Sequence, residues 1–114
     1  MAKSRIPGAL ERRHLVEREL SPAQALRYAE AYLADGRSVE AVDFLRKAGA
    51  DERLEALRAE ALESGDVFLL RAVAVAMGRE PQREEWRALA EAATSAGKER
   101  YAVEANRQAE RGED

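Results

Sequence analysis

Residues able to do acid, base, nucleophilic or metal chemistry are scarce in this 114-residue chain. It holds one histidine, His14, and no cysteine. That leaves no Ser–His or Cys–His pair, no thiolate metal site and no ordinary zinc site. His14 stands among charges in ALERRHLVE and reads as a surface residue. Gly97-Lys98 lacks both the preceding glycine and the following Ser or Thr of a phosphate loop, so it marks a helix end. The carboxylates are plentiful, but they fall at salt-bridge spacings on helices: Asp43/Lys47, Glu55/Arg58, Glu84/Arg87 and Glu104/Arg107. Those pairs belong to solvated faces. The expectation is a protein that is not an enzyme and needs no metal or cofactor.

The charge balance narrows the partners. With 19 basic and 22 acidic residues the net charge is −3, without the basic excess of a phosphate-backbone binder, so no nucleic-acid partner is expected. MAKSRIPGALERR has no apolar core of signal-peptide length, and no apolar run approaches the ~20 residues that cross a bilayer. A cytoplasmic location and no membrane partner follow as expectations. Hydrophobic residues make up 46% but aromatics only 5%, which predicts a core of Leu, Val and Ala in closely packed helices.

The elements are read from their ends. Residues 1–20 form an N-terminal arm or capping segment, with a short helix from Ala9 that carries Leu10, Val16 and Leu20 loosely on one side. Ser21-Pro22-Ala23-Gln24 is a helix start with a capping box. Asp51 and Asp66 are placed to cap further helices, Pro81 to open another, and the glycines at 36, 49, 65, 78 and 97 to close them. Val67–Met77, VFLLRAVAVAM, is apolar all round apart from Arg71 and is expected to have neighbours on every side. Arg71 is expected to lay its stem on the core and reach Asp66, Glu63 or solvent.

Aligning the chain on Gly36, Gly65 and Gly97 exposes an internal repeat. Eleven residues earlier stand Ala25, Leu54 and Trp86; four earlier, Tyr32, Ala61 and Ala93; five later, Ala41, Leu70 and Ala102. Large and small apolar residues recur in register, as in stacked helical hairpins. The pattern resembles the tetratricopeptide repeat (TPR). In the third copy Trp86, Leu89, Ala90, Ala93, Gly97 and Ala102 fall on the family's signature positions. Arg58 and Asn106 depart from it, and the glycines are 29 and 32 residues apart where the family keeps 34. Asp66 and Arg71 also resemble the interlayer aspartate and arginine of HEAT-type repeats, the second choice. Either likeness implies an all-α fold: a short right-handed α-solenoid of about three antiparallel hairpins (residues 21–49, 51–78 and 81–111) within a repeat domain of residues 21–114.

In the tetratricopeptide family the first helix of each hairpin lines a groove that holds a peptide or helix. Carried over, the resemblance assigns partner binding to Leu26, Glu30 and Leu33, to Glu55 and Leu62, and to Arg87 and Glu91. It implies a protein–protein interaction module, an adaptor whose acidic concave face takes a protein or peptide with basic residues around an apolar anchor. The family's carboxylate clamp needs lysine and asparagine where Leu26 and Glu30 stand, so that role is not carried over. The alternative is a self-assembling structural subunit, a homo-oligomer pairing through its N-terminal end.

Overall fold

Ser21 begins the helical architecture as its sequence promises. Its hydroxyl accepts the Gln24 N–H at 3.1 Å, and the Ser21 N–H donates to Gln24 Oε1 at 3.0 Å. The computed structural model describes residues 8–17 and 20–111, with seven helices and no strand among them. They are α1 (Ala9–Glu17), α2 (Pro22–Ala34), α3 (Ser38–Ala48), α4 (Asp51–Ser64), α5 (Val67–Met77), α6 (Arg83–Ser95) and α7 (Glu99–Arg111). The fold is all-α. The chain divides into two compact units, Met1–Leu54 and Glu55–Asp114.

In the first unit α2 and α3 are joined by three residues and pack along one another. Ala25 and Ala29 let the backbones approach, and Tyr32, Val42, Phe44 and Leu45 fill the space between. The Phe44 ring stacks on Tyr32 at 5.7 Å and tilts against Tyr28 at 5.4 Å. The Arg37 guanidinium covers the Tyr32 ring from 5.0 Å. Helix α1 meets α3, where Arg12 and Glu40 stand 4.0 Å apart. Leu10, which the sequence groups loosely on one side with Val16 and Leu20, is 67% exposed; a short helix with charges and His14 at four consecutive positions has little apolar surface to bury. Leu20 is half-buried, and the side chain of Val16 lies outside the described residues.

The second unit is built on α5, α6 and α7 with the C-terminal part of α4. Trp86, Leu89, Ala90 and Ala93 of α6 face Ala102, Ala105 and Ala109 of α7. Asp66 caps α5 by accepting the Leu69 N–H at 3.0 Å. Val67, Leu69, Leu70 and Val73 of α5 are buried, each such side chain worth roughly 1.5–3 kcal/mol. The turn between α4 and α5 presses against α6: a Cβ built on Gly65 would stand 2.6 Å from the Ala93 backbone nitrogen and Cα. Lys98 Nζ donates to the Ser64 carbonyl at 2.8 Å beside it.

Three expectations are corrected. Val67–Met77 does not have neighbours on every side, since Val75 is 82% and Phe68 58% exposed. Pro81 does not open α6; Gln82 does, in extended conformation, with its N–H donating to Glu85 Oε1 at 2.9 Å. Asp51 is the first residue of α4 rather than its cap, and the Ala50 carbonyl accepts the Leu54 N–H at 3.1 Å. Three sets of positions aligned on the glycines are inside throughout, Ala25, Leu54 and Trp86, then Tyr32, Ala61 and Ala93, then Ala41, Leu70 and Ala102, whereas Tyr28, Arg58, Ala48 and Met77, which the same alignment places in register, are only half-buried.

Candidate partner-binding surfaces

Residues four and then three apart on a helix lie along one stripe. Helix α2 presents such a stripe in Leu26, Glu30 and Leu33, helix α4 in Glu55, Ala59 and Leu62, and helix α6 in Arg87, Glu91 and Thr94. None of these nine side chains is fully buried; the three leucines are half-buried and the rest exposed.

Their electrostatics differ. Glu30 is engaged by Arg53 from the first turn of α4. Glu55 accepts from Arg58 at 3.0 Å and from Arg79 at 3.2 Å. Arg58 also reaches Glu85, which ties α4 to the start of α6. Internal cations therefore neutralise two of the acids expected to meet a basic partner. Glu91 makes no ion pair among the described residues. In the second unit Arg87 and Glu91 come together with Ala90, Thr94, Ser95 and Asn106 around an open groove of about 590 Å³. Asn106, the departure from the repeat pattern, thus supplies an amide to a groove wall where an apolar residue was expected.

A different surface was not foreseen. Helices α5 and α7 run parallel at a constant offset of 33 residues: the Phe68 and Tyr101 rings meet edge to face at 5.6 Å, and Arg71 donates to Glu104 at 2.5 Å. Arg71 therefore turns neither to Asp66 nor to Glu63 but to a residue on another helix. Glu104 also accepts from Gln108 at 2.8 Å and from Arg107 at 3.3 Å. The bridge separates two depressions. One, of about 510 Å³, includes Phe68, Arg100 and Tyr101 in its walls; the other, of about 380 Å³, includes Val75, Glu80, Pro81 and Trp86.

The Gln108 amide is the main cause holding the Glu104 carboxyl below its ordinary pKa, joined by the Arg71 hydrogen bond and by the charges of Arg107 and Arg71, against some desolvation. A carboxyl whose pKa is lower folded than unfolded stabilises the fold above its unfolded value. That contribution fades as pH falls through the lowered one. Denaturant titrations from neutral pH downward through the carboxylate range should therefore show stability falling with acid, with a shallower fall in Glu104→Gln. Equal slopes in the two proteins would remove Glu104 from the acid response.

Among the described residues no three His, Asp or Glu side chains gather as a metal site, and no helix is long and apolar enough to cross a membrane. No protein-family model matches this chain, and no curated protein or solved structure matches it either.

Proposed function

We propose that this chain is a non-catalytic, cytoplasmic adaptor of the short α-solenoid kind, similar to tetratricopeptide repeats, that binds a protein partner without metal or cofactor. The shared burial of the three sets of glycine-aligned positions supports the repeat reading. The observation that carries the binding reading is the groove beside α6, where Glu91 is exposed next to Arg87 and makes no ion pair among the described residues. A free carboxylate at an open groove selects a cation on the partner, and the half-buried Leu26, Leu33 and Leu62 offer apolar contact on their own stripes. The partner is a peptide or helix with basic residues around an apolar anchor.

Glu91→Lys tests it. The position is exposed, so the melting temperature should stay close to wild type, while affinity for a captured partner should fall about tenfold or more. Tagged wild type and variant are compared by capture from native lysate, mass identification and titration of the purified partner. A partner held equally by both proteins removes the groove from the binding surface.

A second reading, self-assembly, is favoured by a specific observation: Phe68 and Val75 stand exposed on the same side of α5.

A further inference from the structure

Phe68, Ala72 and Val75 follow one another at spacings of four and three residues, the seam of a helix that packs on another helix. Phe68 and Val75 are exposed and Ala72 is half-buried, on the side of α5 opposite buried Leu69, Leu70 and Val73. All three side chains are apolar, and the small Ala72 permits close backbone approach.

The charges at the two ends of this face differ in sign. At the start of α5 and α7 stands Arg100, beside Phe68 and Tyr101. Past the end of α5 stands Glu80, in the depression that holds Val75 and Trp86. Neither Arg100 nor Glu80 makes an ion pair among the described residues, whereas Arg71 is held by Glu104 and Arg79 by Glu55.

A face with a free cation at one end, a free anion at the other and apolar residues between is complementary to itself turned end for end. We propose that two copies of this chain pair through α5 about a two-fold axis near Ala72 and Val75, with Arg100 of each copy opposite Glu80 of the other. A different partner would have to reproduce both charges in reverse order; a second copy carries them by symmetry. The inference rests on the second of the two readings above and is independent of the groove at Glu91.

Sedimentation equilibrium over a wide range of concentration tests it on the full chain. Wild type is expected to dimerise. Val75→Asp, at an exposed position that should not disturb folding, is expected to raise the dimer dissociation constant roughly a hundredfold, because it would bury an unpaired charge in the seam. Arg100→Glu and Glu80→Arg should each weaken self-association, whereas an equimolar mixture of the two single variants should restore a heterodimer in which both contacts are opposite in charge. A wild type that stays monomeric at every concentration overturns both the pairing and the self-assembly reading. A Val75→Asp protein that still dimerises overturns this face alone, and a mixture no stronger than its components overturns the two-fold arrangement.

Discussion

Gly65→Ala should lower the melting temperature of the second unit by roughly 10–20 °C, the largest effect expected of so small a change. Two costs add at this position. The backbone has φ +73°, where a Cβ costs about 1–2 kcal/mol. The added methyl would also stand 2.6 Å from the Ala93 backbone, which cannot swing aside as a flexible side chain would. Overpacking of that kind costs about 1–3 kcal/mol. Gly36→Ala supplies the control, since its φ of +74° is almost the same but nothing lies within 4 Å of the added Cβ. Thermal unfolding by circular dichroism should show a small loss for Gly36→Ala and a severalfold larger one for Gly65→Ala. Equal losses would mean that the approach of the α4–α5 turn to α6 carries no weight.

Phe44→Ala should cost about 3–5 kcal/mol in the first unit. The ring is fully buried, and removing it strips Tyr32 of its stacked neighbour and Tyr28 of its tilted one. Alanines at Ala25, Ala29 and Ala41 keep α2 and α3 closely packed, so the surrounding structure collapses only partly into the space the ring leaves. Phe44→Leu should recover about half of the loss, because it keeps most of the buried volume and loses the ring stacking. Urea unfolding monitored by tyrosine fluorescence reads both. A Phe44→Ala midpoint near wild type would displace the aromatic cluster from the centre of that unit.

The helices were legible in the sequence because their ends are written in local chemistry. Ser21 with Gln24, and Asp66 with the Leu69 amide, act over three residues, within reach of a pattern reading. The misses come from interactions that are not local. VFLLRAVAVAM shows how much apolar surface exists but not which side a neighbour covers, so the exposure of Phe68 and Val75 was invisible. Arg71 was assigned to nearby acids, yet its partner Glu104 is 33 residues away on α7. Pro81 is read by its preference for the first helical position, but the Glu85 side chain takes the Gln82 N–H, and the helix starts at Arg83, two residues later.

The candidate site was legible only in part. Spacing placed Arg87 and Glu91 on one stripe, and the structure opens a groove beside them. Spacing alone could not show that Glu30 and Glu55 already have cations of their own, from Arg53, Arg58 and Arg79. The charge available to a partner is therefore smaller than a count of carboxylates suggests.

Helix α7 enters the core with alanines alone, Ala102, Ala105 and Ala109, where α5 contributes Val67, Leu69, Leu70 and Val73. A methyl group removes far less surface from water than an isobutyl group, so each turn of α7 is held down by less free energy. Its amide protons are therefore expected to exchange with solvent through a local opening below the global one, with α5 still folded, a difference that native-state hydrogen exchange reads. Tyr101, Glu104 and Asn106 travel with α7, and that one opening would reshape both the groove beside α6 and the face beside α5. On that expectation the groove beside α6 and the face beside α5 would be gained and lost together.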